Sequence, residues 1–144
     1  MQKLHKRIEE VSLNSWPARR QMLYDGWILR FTDGYTRRAN SVNPYADSRL
    51  DVEEKIAVCE RRYAEEGLRT VFRITPFVSP PDLDQALEKR GYEKQAPTLV
   101  LHRGLDNQKL PPAANLRDEA LDDWMEIFCR LSEVSLEKHQ THKG

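Results

Sequence analysis

The sequence predicts an α/β chain of the α+β type: a mixed sheet with an antiparallel three-strand meander and flanking helices. Trp27, Leu29 and Phe31 alternate with Ile28 and Arg30, the period-two pattern of a strand with one buried face. The pairs Asp25-Gly26 and Asp33-Gly34 bracket that run. Asp-Gly between alternating segments is a strong hairpin signal, because glycine accepts the positive φ of a type I′ turn. Outside the meander, apolar residues recur at helical spacing, as in Val52, Ile56, Cys59 and Tyr63.

Taken in order, Leu4, Ile8 and Val11 predict a helix over Lys3 to Asn14 that covers one face of the sheet and stops at Trp16-Pro17. The meander strands come next as Gln21 to Tyr24, Trp27 to Phe31 and Tyr35 to Val42. The last ends at Asn43-Pro44, since proline cannot donate to a ladder. Asp51 with Glu53 and Glu54 is a capping arrangement for a helix over Val52 to Glu66, and Gly67 is placed to end it. Thr70 to Thr75, β-branched and aromatic, reads as a strand broken by Pro76. Ser79-Pro80-Pro81-Asp82 starts a helix with the serine as cap, Leu83, Ala86 and Leu87 as its buried side and Gly91 as its end. A last strand spans Thr98 to His102. Parallel pairing needs a crossover such as a helix, so the strands reached through the second and third helices make the sheet mixed.

Residues 106–114 contain Pro111-Pro112 and no periodicity, and read as a linker. Asn115 to Ala120 is a short strand or a loop. Leu121, Trp124, Met125, Phe128 and Leu131 form an apolar stripe on a helix opened by Asp122-Asp123, and the stripe is a candidate interface. The tail from Glu137 to Gly144 is polar and reads as frayed.

The 144 residues suit one ordinary domain, and 23 basic side chains cancel 23 acidic ones. That balance gives no reason to expect a nucleic-acid or membrane partner. No apolar run approaches the length of a membrane span, and the charged amino terminus lacks a signal-peptide core, so a cytoplasmic protein is expected. Cys59 and Cys129 each stand alone in a helical pattern and read as small buried hydrophobes rather than a disulfide.

Candidates for chemistry are few. Arg37-Arg38 can contact a phosphate or an acidic substrate, or alternation sends one into a surface salt bridge and the other toward the opposite face. Asn40-Ser41, small polar groups costly to bury unpaired, line a cleft or equally satisfy the meander's turn. Arg38, Asn40, Ser41 and Val42 are the candidates for a cofactor-binding cleft. Trp27 and Trp124 read as packing. His139 and His142 lack a third ligand, so no metal site is expected. Glu53, Glu54 and Tyr63 are read as a solvated helix face, and no catalytic residue is assigned.

Several phrases carry a family resemblance: Trp16-Pro17, the run from Asp25 to Phe31, the run from Gly34 to Val42, and Arg90-Gly91-Tyr92. Together with the order of elements they resemble the GNAT superfamily of N-acetyltransferases. More narrowly, they resemble the amino-terminal half of proteins in which two GNAT-like domains stand in tandem. The resemblance implies acetyl transfer from acetyl-CoA to a small-molecule amine. It also implies a glycine-rich loop at a helix amino terminus, whose amides approach the cofactor's pyrophosphate.

The corresponding stretch here, Val42 to Asp51, has no glycine, carries Asp47 and Asp51, and has Arg49 as its one basic residue. The expected plan is therefore a GNAT-like domain over residues 1–105 lacking the pyrophosphate loop, a linker over 106–114, and the start of a truncated second GNAT-like domain over 115–144. Such a chain is inactive alone, and it either binds no acetyl-CoA or holds a CoA-like ligand only through strand-backbone contacts. The alternative is a non-catalytic GNAT-shaped binding or dimerisation module. Its partner is then a second copy, through the Leu121 to Leu131 stripe, or the missing carboxy-terminal GNAT domain.

Overall fold

A computed structural model describes residues 2–104, 120–133 and 135. Its elements are α1 (Gln2–Ser15), β1 (Arg20–Tyr24), β2 (Trp27–Phe31), β3 (Val42–Pro44), α2 (Val52–Glu65), α3 (Leu83–Lys89) and α4 (Leu121–Ser132). Helices beside an antiparallel meander give the α+β, GNAT-like class expected. The chain falls into two compact units, residues 1–93 and 94–144.

In the first unit the strands run in the order β1-β2-β3, each pair antiparallel. Tyr24 lies opposite Trp27, so Asp25-Gly26 is a two-residue turn; φ is 41° at Asp25 and 82° at Gly26, the two positive values of a type I′ turn. Leu29 faces Val42 and Ile28 faces Asn43 across the second pair. One sheet face, with Trp27, Leu29 and Val42, packs on Ile56, Cys59 and Tyr63 of α2 and on Leu83 and Leu87 of α3. Trp27 is thus a core residue, and its indole donates to Ser79 O at 3.0 Å.

The caps of α2 form as expected. Asp51 Oδ1 accepts from the amides of Glu53 and Glu54, and Gly67, at φ 67°, turns the chain so that Leu68 N returns to Tyr63 O at 2.8 Å. Tyr63 is not on a solvated face. It is fully buried, and its hydroxyl donates to Arg30 O at 2.9 Å and accepts from Arg30 N at 3.2 Å, tying α2 to β2.

The second half of the meander departs from expectation. The return strand is Val42–Pro44 alone, and residues 32–41 form a loop rather than the strand Tyr35 to Val42. Asn40 accounts for this: its Oδ1 accepts from Thr32 N (2.7 Å) and Gly34 N (3.1 Å), while its Nδ2 donates to Thr36 O (2.7 Å) and Thr32 O (3.3 Å). One buried amide side chain takes the bonds a paired strand would have made.

The expected strand Thr70 to Thr75 is reduced to a single parallel bridge between Val42 and Phe72, flanked by bonds from Val42 N to Val71 O and from Arg73 N to Val42 O. Pro44 and Pro76 remove donors just beyond it, so the ladder cannot extend. Ser79 does not cap α3; its hydroxyl donates to Asp47 Oδ1 at 2.9 Å, and Leu83 N bonds to Pro80 O instead.

The face of α1 is also corrected. Leu4 and Val11 are exposed, and Glu9 is the helix's buried residue. The surface opposite α1 is polar: Arg73 bonds Glu9 at 2.9 Å, and Tyr45 OH donates to Glu10. Arg30, wholly buried, donates to Leu13 O at 3.3 Å and to Trp16 O at the helix end, and to Arg38 O at 2.9 Å. Burial lowers the Arg30 pKa, with Arg73 adding to the effect.

In the second unit Thr98 to His102 forms no strand, and Leu99 and Leu101 are each 89% exposed, with no neighbouring strand among the described residues to cover them. In α4 Met125 and Cys129 are buried, while Trp124, Phe128 and Leu131 are exposed. The Trp124 and Phe128 rings stack with centroids 5.0 Å apart. The side chain of Leu121, the linker 106–114, residues 115–119 of the short strand or loop, and the tail with His139 and His142 lie outside the described residues.

Candidate functional site

The segment between β3 and α2, the stretch that the family resemblance aligns with a pyrophosphate loop, is hydrogen-bonded to one of the chain's own carboxylates. Asp25 sits at the tip of the β1–β2 turn. The backbone there is locked: a Cβ on Gly26 would lie 2.4 Å from Asp47 O and 2.6 Å from Ala46 O, so only glycine lets the crossing segment pass, and Ala46 N bonds Gly26 O at 2.9 Å. This contact carries Asp25 to the loop before α2.

There a single oxygen, Asp25 Oδ2, accepts from Ser48 Oγ (2.6 Å), Arg49 N (2.9 Å) and Leu50 N (2.9 Å). Successive amides pointing at one anion form a nest, the same device that binds phosphate groups elsewhere. Lys55, from the first turn of α2, completes the arrangement. Its ammonium lies 3.3 Å from Asp25 Oδ2 and donates to Asp25 O (2.6 Å) and Ser48 Oγ (2.7 Å). It also stands 3.9 Å from the centroid of the Trp27 ring, a cation–π contact on a dry surface.

The electrostatics are set by these partners. The Ser48 hydroxyl, then the amides of Leu50 and Arg49 with Lys55, hold the Asp25 carboxyl well below the usual carboxylate range. Lys55 is fully buried, and that burial lowers its pKa, with Asp25 working in the opposite sense. The next amides along, of Glu53 and Glu54, are taken by Asp51, and Asp47 is engaged by Ser79. Cys59, one turn further on, is buried, and its thiol is pushed up to about 12 by that burial, which makes it inert. Among the described residues no group of His, Cys, Asp and Glu is arranged to hold a metal ion.

The four cleft candidates do not come together in one site. Arg38 is exposed, 6.0 Å from the centroid of the Trp16 ring. Asn40 is spent on the loop. Ser41 is buried and accepts from Asn43 Nδ2 at 3.3 Å, and Val42 is in the core. Asp25, Ser48 and Lys55 are not among the residues that sequence reasoning singles out for a site. One signal for them is present in the sequence: Lys55 lies three residues after Val52 and four before Cys59, so it shares their buried face.

The chain matches, over residues 5–142, the family described as "Probable histone acetyltransferase Rv0428c C-terminal". The chain belongs to that acetyltransferase family. It is also 32% identical, over 96% of its length, to the "Uncharacterized N-acetyltransferase YobR" of Bacillus subtilis (strain 168), of which it spans 57%. No solved structure matches the chain.

Membership in an acetyltransferase family suggests use of acetyl-CoA, but the residues before α2 do not fit a pyrophosphate. Their amides already carry an anion, and a phosphate there would meet Asp25, Asp47 and Asp51. Among the described residues no helix is long and apolar enough to cross a membrane.

Proposed function

We propose that this chain is a non-catalytic part of a GNAT-type N-acetyltransferase that moves an acetyl group from acetyl-CoA to a small-molecule amine, and that it is inactive alone. Under this reading residues 1–105 form a degenerate GNAT-like domain, 106–114 a linker, and 115–144 the opening of a second such domain, which supplies the cofactor loop. The observation that carries it is Asp25 Oδ2 on the amides of Arg49 and Leu50, where a cofactor phosphate would have to bind. Free, buried Cys59 and Cys129 are in keeping with a reducing, cytoplasmic setting.

Calorimetric titration of acetyl-CoA into the chain, with desulfo-CoA as control, tests the reading. The expected result is no binding heat. Micromolar affinity, about −8 kcal/mol, would overturn it and return attention to strand-backbone contacts with the cofactor.

A second reading rests on α4. Trp124 is 49% exposed and Leu131 76%, beside the stacked Phe128, an apolar surface of the kind that marks an interface. On this reading the chain is a GNAT-shaped dimerisation module, or docks a carboxy-terminal GNAT domain through that surface. A clean monomer by light scattering at high concentration would count against the dimer.

A further inference from the structure

Helix α1 is attached to the first unit by a different kind of contact from those that hold α2 and α3. Its described apolar residues include none that is buried: Leu4 and Val11 are exposed, and Ile8 and Leu13 are half-buried. Among the described residues, none of α1 joins the core in which Trp27, Leu29 and Val42 pack on α2 and α3. Burial of apolar area is the dominant favourable term in folding, so α1 lacks the main force that holds the other two helices.

The bonds that hold α1 are polar. Glu9, only 7% exposed, accepts from Arg73 at 2.9 Å. Glu10 accepts from Tyr45 OH, and Lys6 Nζ lies 4.6 Å from the centroid of the Tyr45 ring. At the other end of the helix, Arg30 donates to Leu13 O and Trp16 O. Each such bond replaces bonds to water, so its net gain is small. Arg30 also favours release: the closed helix helps to keep its guanidinium out of water and offers it neutral carbonyls instead, and opening would rehydrate the charge.

The chain has a place for such a motion to begin and a place for it to stop. Pro17, just past the end of α1, cannot continue the helix. Arg19 is tied to the turn after β2, its amide donating to Thr32 Oγ1 at 3.1 Å and its guanidinium to Asp33 at 2.7 Å. Trp16, Pro17 and Ala18 lie between the two.

We propose that α1 is a strap that opens as one unit about residues 16–18 while the sheet, α2 and α3 stay folded, and that its opening bares the face carrying Arg30, Tyr45 and Arg73. A detached helix of 14 residues is marginal in water, so opening is read directly as exchange of the α1 amides.

Native-state hydrogen exchange of the chain, followed amide by amide, tests this with two variants. Ile56→Val thins the core between α2 and the sheet. It is expected to speed exchange in α2 and β2 about fivefold and to leave α1 unchanged, because the strap opens without breaking that core. Amides of α1 that quicken in step with those of α2 would overturn the proposal. Glu9→Gln keeps the size of the side chain and removes its charge, and is expected to speed α1 exchange about tenfold. Unchanged α1 exchange in that variant would show that the strap is not held at Glu9, and would overturn the proposal as well.

Discussion

Asp25-Gly26 and Asp33-Gly34 share a dipeptide and a backbone, with φ of 41° and 82° at the first and 46° and 75° at the second. Their outcomes differ. The first joins two fully paired strands and pushes its carboxylate into the loop before α2. The second closes a local turn, with Tyr35 N on Thr32 O at 3.0 Å, and then the chain leaves the sheet until Val42. The dipeptide sets the turn, and the path of the chain beyond it depends on whether backbone or a side chain supplies the next hydrogen bonds. At Asn40 the side chain wins, and at Asp25 the side chain reaches a different loop.

The largest expected effect separates the two glycines. Gly26→Ala places a Cβ against the rigid carbonyls of Ala46 and Asp47 at positive φ, and is expected to destabilise by about 2 to 5 kcal/mol in denaturant unfolding. Gly34→Ala meets only Leu68 Cδ2, at 3.2 Å, the end of a flexible side chain, and should cost about 1 to 2 kcal/mol. Equal costs would break the comparison. Next comes Asn40→Ala, which strands the buried Thr32 amide and unties the loop, at about 2 to 3 kcal/mol by the same measurement. Asn40→Asp should not rescue the loop, because its second oxygen would stand where Nδ2 now donates, 2.7 Å from Thr36 O, and an ionised carboxylate can only accept.

The smallest effect is confined to acid. Because the folded-state pKa of Asp25 lies below its ordinary value of 3.8, the unfolded chain binds more protons in the window between the two. The stabilisation is complete above the ordinary value and is lost as pH falls through the folded one. Asp25→Asn should therefore flatten the acid limb of a stability-against-pH curve. An unaltered acid limb would mean that Asp25 is not held as described.

Much of the first unit was legible in the sequence, and the failures share a cause. Helix α2 was readable to its ends because period, cap and stop agree at Val52, Asp51 and Gly67. Helix α1 was readable as a helix but not as a surface, since Glu9 rather than Leu4 or Val11 turns inward, toward Arg73. Arg30 and Lys55 sit at buried positions that a rule of charged-outside assigns to solvent. Their partners, backbone carbonyls and the carboxylate of a distant turn, are not local in sequence. Asp25 shows the same limit: the sequence marks it as a turn residue, whereas its contacts with Ser48, Arg49 and Leu50 depend on the crossing at Gly26. Asn40 was readable as one of two alternatives, and the structure supports the turn-satisfying one.

The most direct test of the filled nest is an NMR pH titration that tracks the Asp25 carboxyl carbon together with the Arg49 and Leu50 amides. A carboxyl that titrates well below the ordinary range, with both amides shifting in step, is the result this structure predicts. A midpoint at the ordinary value of 3.8, with the two amides unmoved, would show that the nest is open, and the reading of this chain as the half that cannot hold the cofactor would fail.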